Sequence, residues 1–148
     1  RVTLPTSTRG LEGSRTERQR LAGADKNPMV RTALVDFVAR DGRFEVRTAG
    51  TGYDAGMITQ EFMPDMIILD YMLPDINGNM VCRSVRAKPE MRDMKIIVVS
   101  GVVNQNEIDA LLRDGANEFV KKPFNIEKLL GRISALLEME DRPRARGV

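Results

Sequence analysis

Apolar and polar positions along this chain switch repeatedly between a helical and a strand period. After Asn27-Pro28, residues Val30, Ala33, Leu34, Phe37 and Val38 recur at helical spacing until Asp41-Gly42. Asn27 suits the N-cap of that helix and Pro28 its first turn. Phe44–Ala49 alternates as a half-buried strand does. Residues 53–62 return to a helical pattern that stops near Pro64, and residues 66–69 are apolar without a break, as in a strand covered on both faces. A helix over 77–87, a strand over 95–99, a helix over 104–114 and the short strand Glu118–Lys121 follow. Asn125 caps a last helix whose stripe is Ile126, Leu129, Leu130, Ile133, Leu136 and Leu137. The first strand, over 20–24, is the faintest element because it is short and contains Gly23.

Five strand–helix units at short intervals predict a three-layer α/β domain, with helices on both faces of a parallel sheet. A chain of 148 residues, 42% apolar and 30% charged, suits one such domain. No apolar run approaches the roughly 20 residues that span a bilayer, so no membrane partner is expected. The chain has no histidine, which excludes His-based acid–base catalysis and His–metal sites. Cys82 is the only cysteine; it fits a reducing, cytoplasmic compartment and is expected to be a small buried residue. The formal charge of +2 is unevenly spread. Residues 1–20 hold 5 basic against 2 acidic side chains, while residues 21–137 hold 15 against 16. The basic excess thus belongs to residues 1–18, read as a solvated arm or linker, and not to the domain at 19–138. Residues 139–148 form a charged tail. The arm has neither aromatic interleaving nor an apolar stretch after its arginines, so it reads as neither a nucleic-acid site nor a signal peptide. Arg1 at the start points to a piece of a longer protein.

Ligands of open parallel sheets bind beyond the carboxyl ends of the strands. Asp25 and Lys26 stand after the first strand, Asp70 after the third, Ser100 at the end of the fourth and Lys122 after the fifth. Together they supply a nucleophile or metal ligand and two donors for an anion formed on it. Each alone could simply be a polar strand end facing water.

These residues also carry a resemblance. The run Ile67-Ile68-Leu69-Asp70-Tyr71-Met72-Leu73-Pro74-Asp75-Ile76-Asn77-Gly78 resembles the phospho-acceptor segment of receiver domains in two-component response regulators. Val99-Ser100-Gly101 resembles that family's hydroxyl-bearing strand end, and Gly115 to Phe124, with Lys121-Lys122-Pro123, its closing segment. Asp25-Lys26-Asn27-Pro28 resembles the acidic opening. The resemblance covers about residues 20–138. It implies a flavodoxin-like (βα)5 fold with five parallel strands in the order 2-1-3-4-5, and a signalling domain, not an enzyme. Asp70 would accept a phosphoryl group from a histidine kinase or phosphotransfer protein. Asp25, Asp70 and the backbone carbonyl of Met72 would hold Mg²⁺, with Ser100 and Lys122 contacting the phosphoryl group. Phe119 matches the switch aromatic that turns inward with Ser100, or it is a core aromatic on a short strand. The resemblance leaves room for a homodimer, and for DNA contact through an output domain outside this chain.

One position departs from the pattern. The second opening acid, which usually touches the metal, is Lys26 here. One unit-charge interaction at roughly 4 Å and an effective dielectric of 20 is about 4 kcal/mol. Weak Mg²⁺ binding and slow or absent phosphorylation are therefore expected. Lys26 can swing to solvent, or pair with Asp70 and stand in partly for the metal. The alternative function is a pseudo-receiver that docks or dimerises without phosphorylation. Apolar Met72 and Val102, which cannot orient water, predict slow self-dephosphorylation if a phosphoryl group is accepted. Two other patterns are set aside. Gly50-Thr51-Gly52-Tyr53-Asp54-Ala55 fits a dinucleotide fingerprint with Asp70 downstream, but the preceding strand carries Glu45 and Arg47, where a central strand should be apolar. No Walker A motif accompanies residues 67–70. Met57, Met63, Met66, Met72, Met80, Met91 and Met94 read as flexible core filling.

Overall fold

A computed structural model describes residues 18–101 and 104–138. The expected arm up to residue 17, Val102 and the tail at 139–148 lie outside the described residues. The strands are β1 (Gln19–Ala24), β2 (Phe44–Ala49), β3 (Met66–Asp70), β4 (Lys95–Ser100) and β5 (Glu118–Lys121). They pair in parallel in the order β2-β1-β3-β4-β5. The helices are α1 (Pro28–Ala33), α2 (Gly52–Phe62), α3 (Gly78–Ala87), α4 (Gln105–Arg113) and α5 (Ile126–Leu136). This is the flavodoxin-like arrangement that the alternation and the resemblance predict.

The strand period of 2 divides the core between the two faces of the sheet. Ala22, Ala24, Ile67, Leu69, Ile96 and Val98 point to one face and pack with Ala55 of α2, Cys82 and Val85 of α3 and Leu111 of α4. Leu21, Met66, Ile68, Ile97 and Val99 point to the other, against Leu34 and Val38, which continue from α1, and Leu129 and Ile133 of α5. Both faces of β3 and β4 are therefore covered, which is why their sequences are continuously apolar. β2 is an edge strand with only its two end residues buried, matching its alternating sequence.

Gly23, which weakens β1 as a sequence pattern, has a packing role. A Cβ there would lie 2.7 Å from Leu34 Cδ1, so its absence lets the first helix sit close to the sheet. Past α1, residues Leu34–Val38 widen into a π-helical turn, and a 3₁₀ turn, Pro89–Met91, precedes β4. Helical periodicity does not resolve either feature, since apolar spacing tolerates one inserted residue per turn. The caps agree better: Asn27 Oδ1 accepts from Met29 N–H at 2.9 Å and Asn125 Oδ1 from Lys128 N–H at 3.0 Å.

Cys82 is fully buried, as expected, and burial pushes its thiol up to about 11. The methionine reading holds only in part. Met66, Met91 and Met94 are buried, whereas Met57, Met72 and Met80 are exposed because they fall on helix faces and a loop turned to solvent.

Arg86 of α3 ties together the segments that lead into β4 and β5. Its guanidinium donates to the carbonyls of Gly115, Arg92 and Met94 and to Asn117 Oδ1, at 2.5 to 3.0 Å. Gly115 has φ +119°, and a Cβ there would also press on the Arg86 side chain. Replacing Arg86 by Met leaves these carbonyls without their donor. The Arg86→Met variant should lose about 2–3 kcal/mol of stability by urea denaturation, with the slope of the transition unchanged.

Candidate functional site

Strand register brings the chemistry to one rim. Ala24 lies level with Leu69, Asp70 with Val99, and Ser100 with Lys121. Asp25, Asp70, Ser100 and Lys122 therefore meet at the carboxyl end of the sheet. Backbone hydrogen bonds fix each neighbourhood: Asp25 N–H to Ala49 O at 3.0 Å, Tyr71 N–H to Val99 O at 2.9 Å, and Lys122 N–H to Ser100 O at 2.8 Å. The Lys122–Pro123 peptide is cis. Gly78 allows α3 to start directly against the turn after Asp70, since a Cβ would lie 3.0 Å from Tyr71 Cα.

Asp25 and Asp70 are both about 2% exposed. Charges that deeply buried need partners, and two lysines supply them. Lys122 Nζ is 2.9 Å from Asp25 Oδ2 and 3.6 Å from Asp70 Oδ2. The Asp25 contact is an ion pair, without the alignment of a hydrogen bond. Lys26 Nζ donates to Asp70 Oδ2 at 3.2 Å and to the Met72 carbonyl at 3.1 Å, and the Lys26 backbone N–H donates to the same Asp70 oxygen at 3.3 Å. Asp70 Oδ1 accepts the Met72 N–H at 3.3 Å. Asp25 also braces the β1–α1 turn: its Oδ1 accepts from Asn27 N–H at 2.9 Å, and its carbonyl accepts from Arg31 at 2.7 Å.

Lys26 thus takes the second of the two courses open to it in the sequence: it pairs with Asp70 instead of extending away. Its ammonium faces two of the three groups that the resemblance assigns to Mg²⁺, while the third, Asp25, faces Lys122. Receiver domains typically bind Mg²⁺. In this arrangement the donor set does not fit that ion. Among the described residues no three His, Cys, Asp or Glu side chains form a metal-holding group, and every candidate ligand already faces an ammonium.

Phe119 is half-buried on β5, level with Val98, and packs at the margin of the core under α3 and α4. Asp75 has a positional role that inspection of strand ends overlooks. Its carboxylate accepts the N–H groups of Gly52 at 2.7 Å and Tyr53 at 3.0 Å, capping α2 from the loop after β3. The glycine-rich turn that imitates a dinucleotide loop is thereby filled from within. A Cβ at Gly52 would collide with Ile76, and the strand leading into the turn is the sheet edge. Asp75 was visible only as a member of the acceptor run, because its partners lie more than 20 residues away.

A five-stranded parallel α/β domain with buried acids and lysines on its carboxyl rim defines a receiver-type signalling module. The chain matches the family model of the response regulator receiver domain over residues 23–134, and it belongs to that family. It is 38% identical over 94 residues to the phosphate regulon transcriptional regulatory protein PhoB of Rhizobium meliloti, covering 64% of this chain and 41% of that protein. It is 34% identical over 131 residues to the DNA-binding response regulator MtrA of Mycolicibacterium smegmatis, covering 86% and 55%. The chain spans about half the length of these curated relatives. Among solved structures, a BeF3-activated DrrB receiver domain is similar with a TM-score of 0.72 and 27% identity over 82% of this chain and 98% of that one. A CheY-like receiver domain protein from Methanospirillum hungatei shares the fold with a TM-score of 0.77 at 22% identity, over 82% and 95%. Among the described residues, no helix is long and apolar enough to cross a membrane.

The Gly52 and Tyr53 hydrogen bonds hold the Asp75 carboxyl below its ordinary value of 3.8. A depressed carboxylate stabilises the fold fully above its unfolded-state range, and that contribution fades as pH falls through the lower folded value. Amide resonances of Gly52 and Tyr53 should therefore titrate with a midpoint below 3.8, and Asp75→Asn should abolish the titration.

Proposed function

We propose that this chain is the input domain of a response regulator in a two-component phosphorelay. Asp70 accepts a phosphoryl group from a histidine kinase or phosphotransfer protein and so controls an output domain outside these 148 residues. The observation that carries the reading is the buried Asp70 carboxylate at the end of the central strand, with the Lys122 ammonium 3.6 Å away. Phosphoryl transfer asks little covalent chemistry of a protein. It needs an aligned oxygen and positive charge around the equatorial oxygens. Asp70 supplies the oxygen, Lys122 part of the charge, and Ser100, buried one step beyond the Val99–Asp70 pair, a hydroxyl for the phosphoryl group. Asp25 keeps Lys122 at the site. Phe119 is the aromatic that moves inward when Ser100 closes on the phosphate. The DNA-binding relatives support a DNA-binding output, and a homodimer of the phosphorylated form is the economical way to drive it. The cytoplasm supplies the kinase and keeps Cys82 reduced.

Lys26 favours a second reading. An ammonium bound to Asp70 Oδ2 and Met72 O fills the pocket, and a receiver fold so occupied can serve as a phosphorylation-independent docking or dimerisation module.

Intact mass after incubation with acetyl phosphate and Mg²⁺ separates the two. The acceptor reading predicts a gain of one phosphoryl group that disappears in Asp70→Asn. An unchanged mass in the parent chain would count against the acceptor reading and favour the docking module.

A further inference from the structure

Resting on the reading of Asp70 as acceptor, we infer that Lys26 is the resident counter-cation of the pocket, and that Asp70 takes a phosphoryl group from an acyl phosphate without a divalent metal ion.

The placement is built, not incidental. Backbone and side chain of Lys26 converge on one oxygen: its N–H is 3.3 Å and its Nζ 3.2 Å from Asp70 Oδ2, and Nζ also reaches Met72 O at 3.1 Å. The turn that launches Lys26 is held on both sides, by Asn27 N–H on Asp25 Oδ1 and by Arg31 on the Asp25 carbonyl. The side chain is half exposed, which leaves a small donor an approach from solvent.

The charge count agrees. Asp25 and Asp70 carry −2, Lys26 and Lys122 carry +2, and the resting cluster is neutral. A divalent ion would take it to +2 with no surplus anion to neutralise. With Lys26→Asp the same cluster would stand at −2, which one divalent ion would cancel. Lys26 therefore makes the metal unnecessary at rest.

The transfer balances with the groups present. Asp70 Oδ1, held by the long Met72 N–H contact, attacks phosphorus. The bond from phosphorus to the donor's acyl oxygen breaks, and the acyl group leaves as a carboxylate with the electron pair. No proton moves and nothing is oxidised or reduced. Asp70 changes from a carboxylate to an acyl phosphate dianion, so the cluster moves from neutral to −1. The two ammoniums hold Oδ2 and the equatorial oxygens, as preorganised charges do in other transfers.

The test is intact mass of the full 148-residue chain with acetyl phosphate, in EDTA and in Mg²⁺. The expected adduct yields agree within about twofold, and Asp70→Asn abolishes both. In EDTA, Lys26→Met should lower the yield by roughly tenfold or more. Lys26→Asp, if it folds, should lower it similarly and recover with Mg²⁺. An adduct that forms only with Mg²⁺ overturns the inference while leaving Asp70 the acceptor. No adduct in either buffer overturns both. Undiminished yield in Lys26→Met overturns the role of Lys26. Melting gives a readout apart from transfer: millimolar Mg²⁺ should leave the parent unchanged, and a rise on the order of 5 °C would contradict a resident cation.

Discussion

Two carboxylates buried side by side at the end of a parallel sheet need cations beside them to offset lost hydration, and this constraint organises the carboxyl rim. Asp25 directly follows β1 and Asp70 ends the adjacent strand β3, each almost wholly out of water. Like charges so placed repel in a poorly screening medium, and loss of either partner from a buried pair typically costs about 3–5 kcal/mol. Lys122 answers one acid and Lys26 the other, so the rim is neutral through side chains alone. The cis Lys122–Pro123 turn, the Asn27 cap and the Arg31 bond all belong to the short segments that carry these two lysines.

The two ammoniums are not equivalent. Lys122 is largely buried and touches both acids, as a fixed counter-charge would. Lys26 is half in water, so its Coulombic contribution is screened and its side chain retains freedom to leave. That asymmetry suits the proposed acceptor pocket, electrically closed at rest and open to an incoming phosphodonor. On the proposed reading, an acid exchanged for an ammonium at this position removes the need for a divalent ion along with the means of holding one.

Much of this was legible in the sequence because the fold is periodic. Covered strands read as unbroken apolar runs, the edge strand β2 alternates, and capping asparagines mark two helix starts. Strand ends then indicate which residues share a rim, and Asp70, Ser100 and Lys122 follow from that rule alone. What was not legible depends on distance in space. The π-helical turn at Leu34–Val38 arises where the first helix leans on Gly23, a contact between elements. The exposed Met57, Met72 and Met80 have the composition of a core but lie on outward faces. Asp75 finds its partners across a loop more than 20 residues away. The sequence left Lys26 a choice between solvent and Asp70, and only the geometry shows the pairing. The same geometry explains the misleading glycine motif, whose helix N-terminus is capped by Asp75 and has no place for a pyrophosphate.

If Lys26 is the pocket's cation, Mg²⁺ finds no vacant site there. Calorimetric titration of Mg²⁺ into the unmodified chain should then give no saturable heat below the millimolar range. Saturable sub-millimolar binding at one site per chain would contradict that role for Lys26.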